Sequence, residues 1–202
     1  MKKRKLKVMP VALTAFTFIL VLVAIIAIIR VNRVVTYPTE YSEIVEKVAF
    51  EEGVAEHILY AVIYTESSFI VDSKSKLGAV GLMQLLPETA QWLCEREGVE
   101  YKEELLVDPE FNVRYGAKFL KILYDRYENW DAAHAAYHAG FGRVDSWLEE
   151  GIAHYEDGQL VDIPIEATDY YVNKLRNMRE KYFKQLQKEN TDEKERNRSF
   201  RI

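Results

Sequence analysis

Leu59-Tyr60-Ala61-Val62-Ile63-Tyr64-Thr65-Glu66-Ser67-Ser68-Phe69 is the stretch on which the reading of this chain turns. Leu59, Val62 and Ile63 precede Glu66 by seven, four and three positions, so on a helix all of them lean to one apolar face. A carboxylate on that face loses solvation, which penalises its charged form and raises its pKa. A general acid working near neutral pH needs that shift. The plainer alternative is an acid at a helix end that escapes to water or pairs with a Lys or Arg.

Working outward, the pattern is helical almost throughout, with no convincing alternating strand. Thr39 is placed to cap a helix carrying Ile44, Val45, Val48 and Ala49 that stops near Gly53. The helix bearing Glu66 runs from about Ala55 to Ser67, and Ser68 to Gly78 reads as a polar loop. Pro87 suits the first turn of a third helix ending at Gly98. Asp108-Pro109 is a cap-plus-N1 signature for a long helix to about Tyr127, with Phe119, Leu120 and Leu123 inward. Asp131 is expected to cap a short Ala-rich helix ending at Gly140, and a last helix spans roughly Thr168 to Gln187. These pieces predict one mainly α domain over residues 39–187, followed by a polar, disordered tail at 188–202.

Charge is divided unevenly. Six basic residues (Lys2, Lys3, Arg4, Lys5, Lys7, Arg30) precede position 31 with no acid among them, so the chain's net charge of −5 becomes −11 over residues 31–202 once those six are removed. An acidic domain of this kind argues against nucleic acid as a partner. Cys94 is the only cysteine, which excludes an intramolecular disulfide and a cysteine zinc site and suits a small buried apolar residue. His134 and His138 stand four apart, a spacing that a shared metal would accept, but no third ligand is evident.

Residues 8–29 are uncharged and nearly all apolar. A helix of that length is about 33 Å long, enough to cross a bilayer core of about 30 Å. A cleaved signal peptide is the alternative, but the run is long for one and no small-x-small site follows it. The reading is therefore an uncleaved, single-pass transmembrane helix. Its basic tail (1–7) stays in the cytoplasm, a linker (30–38) follows, and the globular part lies on the extracytoplasmic side of the cell membrane.

Four segments carry candidate chemistry, each with a plainer reading. Glu66-Ser67-Ser68-Phe69 is the first. Gly78-Ala79-Val80-Gly81-Leu82-Met83-Gln84 lets backbone approach a ligand and offers the Gln84 amide to a sugar, or is merely a turn with Leu82 and Met83 as core. Ala135-Ala136-Tyr137-His138-Ala139-Gly140 sets one phenol among small residues, near a cleft or simply buried. In Thr168-Asp169-Tyr170-Tyr171-Val172, one Tyr is placed to reach the Glu while the other faces solvent.

Taken together in this order, these segments resemble the soluble lytic transglycosylase (SLT) family, lysozyme-like enzymes that cut peptidoglycan between N-acetylmuramic acid and N-acetylglucosamine. The likeness spans about residues 40–185 and includes Glu66-Ser67, Gly81-Leu82-Met83-Gln84, Asp108-Pro109 with Asn112 and Gly116, Ala136-Tyr137-His138-Ala139-Gly140, and Tyr171-Val172. The resemblance implies a lysozyme-like fold, Glu66 as catalytic acid and base, and Ser67, Met83, Gln84, Tyr137, His138 and Tyr171 around the substrate. It implies peptidoglycan strands as partner, a role in cell-wall remodelling, and no cofactor or metal. His138 stands where the family usually has Asn, and Ala167-Thr168 where it often has Glu-Thr. Two other readings stay open. One is a goose-type lysozyme-like hydrolase, with Asp72 holding a water as second carboxylate. The other is a non-catalytic glycan-binding protein.

Overall fold

Proline and glycine set the helix ends. In the computed structural model, which describes residues 18–23 and 36–199, Pro87 and Pro109 each open a helix, while Gly53 and Gly98 close two at φ +67° and +68°. The order is α1 (Ser42–Glu52), α2 (Glu56–Glu66), α3 (Pro87–Glu97), a 3-10 turn (Glu103–Val107), α4 (Pro109–Tyr127), α5 (Trp130–Ala139), α6 (Phe141–Glu149), β1 (His154–Glu156), β2 (Gln159–Val161) and α7 (Glu166–Ser199). The mainly α expectation holds.

The main core gathers α1, α2, α4, α5 and α7 through Val48, Leu59, Ile63, Leu120, Ala136, Val172 and Leu175. Each fully buried Leu or Ile contributes about 1.5–3 kcal/mol. A smaller core joins Val80, Leu85, Leu93, Cys94, Leu106 and Tyr115 beneath α3 and the 3-10 turn, and Phe119 packs against both. Between α2 and α3 the chain makes two single-residue antiparallel bridges, Lys74 with Val80 and Val80 with Leu85. That loop lies between the two cores, and the motif residues at its end meet α2, α4 and α5.

Several local expectations are corrected. Thr39 does not cap α1; the capping position is Tyr41, left-handed at φ +63°, with no side-chain cap. Asp131 does not cap α5 either. Asn129 does, its side chain accepting from the Asp131 and Ala132 N–H groups. Asp131 is instead buried in the first turn, held by Arg176 at 2.6 Å and Arg179 at 2.7 Å from α7. Helix α6 and the β1–β2 hairpin, which turns on Asp157-Gly158, were not anticipated.

α7 does not stop near 187 but continues to Ser199, across most of the tail expected to be disordered. Lys184 pairs with Glu180 at 3.3 Å one turn back, and Lys188, Asp192 and Arg196 repeat alternating charge at four-residue spacing, which supports an exposed helix. At the start of the domain the chain is clasped to this helix. The Gln185 side chain accepts from the Tyr37 N–H (2.7 Å) and donates to the Tyr37 carbonyl (3.1 Å), while the Tyr182 hydroxyl donates to the Pro38 carbonyl (2.9 Å).

The described residues fall into two units that divide between Thr36 and Tyr37. The expected membrane segment, 8–29, lies outside the described residues except for 18–23, which are helical. Among the described residues, no helix is long and apolar enough to cross a membrane.

Candidate active site

Glu66 is the last residue of α2, and the chain reverses directly after it. Ser68 and Phe69 are both left-handed, at φ +51° and +66°, a conformation that costs about 1–2 kcal/mol per non-glycine residue. Phe69 offsets that cost by burying its ring in the main core. The Glu66 carboxyl is mostly buried, and burial pushes its pKa up to about 7. The hydrogen bond from the Tyr171 hydroxyl and the nearby Lys174 ammonium pull it back only in part. Its place at a helix C-terminus, the negative end of the macrodipole, also disfavours the charged form.

Two phenols stand by this carboxyl. Burial, and then the charge of Glu66, raise both the Tyr171 and Tyr137 hydroxyls well above the usual phenol range, so both remain donors. Tyr171 donates to Glu66 Oε1, and Tyr137 donates to the Met83 carbonyl at 2.7 Å. Tyr170, the neighbour of Tyr171, is 70% exposed, so the two tyrosines divide as expected. His138 presents Nδ1 to the Thr168 hydroxyl at 3.1 Å and stacks on the Tyr171 ring, with centroids 4.6 Å apart and planes 27° apart. Burial lowers its pKa.

The loop carrying Met83 and Gln84 is fixed from below by Asn112, a fully buried side chain on α4. Asn112 accepts from the Met83 N–H (2.7 Å) and donates to the carbonyls of Val80 (2.9 Å) and Leu106 (2.8 Å). Gly81, at φ +87°, admits this approach, because a Cβ there would lie 2.2 Å from Asn112 Nδ2. Gly116 likewise clears the Met83 side chain, which an added Cβ would meet at 2.5 Å.

The site residues expected from sequence fall into two groups. Glu66, Tyr137, His138 and Tyr171 converge. Ser67 and Gln84 are turned inward and hold the backbone. The buried Ser67 hydroxyl donates to the Leu82 carbonyl (2.8 Å) and the Ile63 carbonyl (3.2 Å). Gln84 uses its amide N–H groups on the carbonyls of Ser73 (2.9 Å) and Gly81 (3.0 Å). Met83 meets the site through its backbone, since its side chain is fully buried. Asn112, one of the residues that carry the family resemblance, is a functional residue of this loop through its buried amide. The available signal is its spacing: Asn112 lies four and eight residues before the inward Gly116 and Leu120, on the same face of α4, so its amide must be satisfied inside.

Asp72 is exposed, and no carboxylate is among the groups that shift Glu66. His134 is fully buried against Trp130, whereas His138 faces Thr168 and Tyr171, so the two rings share no site. Among the described residues, no group of three or more His, Cys, Asp or Glu is placed to hold a metal. A separate cavity of about 530 Å³, lined by His57, Trp130, Asp131, Arg176, Arg179 and Phe183 among others, contains none of the converging residues.

The transglycosylase SLT domain profile matches residues 43–156. The chain is 29% identical over 143 residues to the soluble lytic murein transglycosylase of Salmonella typhimurium, covering 69% of this chain and 22% of that protein. Among solved structures, the lytic transglycosylase Slt of Pseudomonas aeruginosa, determined as an inactive Glu-to-Gln mutant, superposes with a TM-score of 0.66 at 29% identity, covering 75% of this chain and 25% of that one. The 70-kDa soluble lytic transglycosylase of Escherichia coli gives 0.66 at 27% identity, covering 72% of this chain and 24% of that one. The chain thus spans about a quarter of the length of these relatives. With over half of its residues matched by the profile, the chain belongs to the transglycosylase SLT domain family.

Proposed function

We propose that this protein is a peptidoglycan lytic transglycosylase, cleaving the β-1,4 bond between N-acetylmuramic acid and N-acetylglucosamine and closing the muramic residue into a 1,6-anhydro sugar. The observation that carries this reading is the Glu66 carboxyl, mostly buried at the end of α2, bonded by Tyr171 and pushed up in pKa to about 7, while Asp72, the candidate second carboxylate, is exposed. A hydrolase working through two carboxylates needs a second one across the bond.

Glu66 begins protonated and gives its proton to the glycosidic oxygen as the C1–O bond breaks. Positive charge develops at C1, where the substrate's N-acetyl oxygen and the surrounding dipoles stabilise it. The Glu66 carboxylate then takes the proton from the C6 hydroxyl, and that oxygen bonds to C1. The proton returns to Glu66 and no water is consumed. Tyr171 holds the carboxyl in place, while Tyr137 and Asn112 hold the Met83 backbone beside it. The names of the relatives, all lytic transglycosylases, favour the same chemistry.

Residues 8–29 act in this proposal as a single-pass anchor, with 1–7 cytoplasmic, 30–38 a linker and the catalytic domain outside. The uncharged run and the basic cluster before it support that placement. Recovery of the full chain in the soluble fraction, uncleaved, would overturn it.

The test of the reaction is mass spectrometry of muropeptides released by residues 31–202, with Glu66→Gln alongside. Products one water lighter than hydrolytic ones, absent with Glu66→Gln, are expected. Reducing-end products would assign a hydrolase, and glycan bound without cleavage would assign a binding protein.

A further inference from the structure

We propose that His138 is a positioning residue for this reaction, acting through Tyr171 and not on substrate: it fixes the phenol that donates to Glu66. The inference rests on the transglycosylase reading of the same site. Its basis is a chain of contacts linking three helices.

Thr168 is 1% exposed, so its hydroxyl is an immobile partner for His138 Nδ1. Thr168 and Tyr171 lie three residues apart on α7, hence on one face of that helix. With one edge of the imidazole held by Thr168, its face lies over the Tyr171 ring and closes one side of that ring. The same ring carries the hydroxyl that meets Glu66. Without the imidazole, Tyr171 gains rotamer freedom on the side where His138 now stands, and the donor to Glu66 is no longer held. The groups facing Glu66 are Tyr171 and Lys174 from α7 and Tyr137 from α5. Of these, only Tyr171 is stacked by His138.

This arrangement gives a signature that simple substrate contact would not. The Tyr171 hydrogen bond lowers the pKa of Glu66 against the larger effect of burial, so a loosened Tyr171 lets that pKa rise. The reaction needs Glu66 protonated at the start, so the alkaline limb of kcat/KM moves to higher pH. His138 itself, lowered from the ordinary histidine value, is neutral across that limb and does not produce it.

The experiment compares wild type, His138→Ala and His138→Phe in kcat, KM and pH profile. It also measures chitooligosaccharide binding to Glu66→Gln with and without His138→Ala. In His138→Ala, kcat is expected to fall about tenfold, with KM within about twofold and the alkaline limb displaced upward. Oligosaccharide affinity is expected to hold. His138→Phe, which restores a ring over Tyr171, is expected to recover most of kcat and the wild-type limb. Should His138→Ala not fold, His138→Ser removes the ring while keeping a polar partner for Thr168 and carries the same expectation. The inference is overturned by lost oligosaccharide affinity with kcat retained, by a loss in His138→Phe equal to that in His138→Ala, or by an unchanged profile without the ring. An inactive wild type would instead sink the transglycosylase reading.

Discussion

Asn112 accepts a 2.7 Å hydrogen bond from the backbone N–H of Met83, whose carbonyl in turn accepts from Tyr137. One buried amide on α4 therefore sets the height of the loop beside Glu66. Asn112→Ala leaves the Met83 N–H and the Val80 and Leu106 carbonyls without their partner. Each buried group left unpaired costs about 1–3 kcal/mol, so a loss of about 3 kcal/mol or more is expected in urea unfolding. A loss below about 1 kcal/mol would mean that water replaces the amide.

Glu66→Gln removes both the acid and the base of the proposed reaction. Activity is expected to fall about a thousandfold or more, since one acid–base group contributes about 10²–10⁴-fold. The near-isosteric amide should leave the fold intact by circular dichroism. Retained cleavage would remove Glu66 from the chemistry.

The same substitution should change how stability responds to pH. The folded pKa of Glu66, about 7, lies above its ordinary value of 4.5. The native state thus binds more protons than the unfolded chain between those values. The stabilisation from protonated Glu66 is fully present below about pH 4.5 and is lost as pH rises through about 7. At about 1.4 kcal/mol per unit over the interval from 4.5 to about 7, wild type should be less stable than Glu66→Gln by about 3 kcal/mol at pH 8, with the gap closing toward pH 4.5. Parallel stability curves for the two proteins would contradict this.

Asp131 is the counter-charge for Arg176 and Arg179 together. Replacing it by Ala strands two largely buried guanidinium groups between α5 and α7. A destabilisation of about 3–5 kcal/mol is expected in chemical denaturation, the usual cost of breaking a buried pair from one side.

What could be read from the sequence depended on how far apart the partners lie. The Asp108-Pro109 start of α4 was legible because the capping bond, from the Phe111 N–H to the Asp108 carboxylate, spans three residues. Asp131 was misread as a cap because its true partners are 45 and 48 residues away. The same limit explains Ser67 and Gln84. Ser67 also bonds the Leu82 carbonyl fifteen residues on, and Gln84 the Ser73 carbonyl eleven residues back, and these partners are brought near only by the folded loop. The hairpin was missed although Asp157-Gly158 is a favoured turn dipeptide, because three-residue strands are too short to show alternation. Helix α6 carried Val144 and Trp147 at helical spacing, but its early Gly142 weakened the pattern. Glu66 and Tyr171 were legible as a pair through the resemblance, whereas the stacking of His138 on Tyr171 could emerge only from the packing of α5 on α7.

The clasp of Tyr37 and Pro38 onto Gln185 and Tyr182 has a mechanical consequence. A pulling force on the chain ahead of Tyr37 does not first peel α1 from the domain. It is handed to the middle of α7 through three hydrogen bonds. Gln185 lies fourteen residues beyond Tyr171 on this one helix, about 21 Å at the usual rise. Tension on the leading segment is therefore borne by the same rod that presents Tyr171 to Glu66, and α1 is shielded from the load until the clasp gives way.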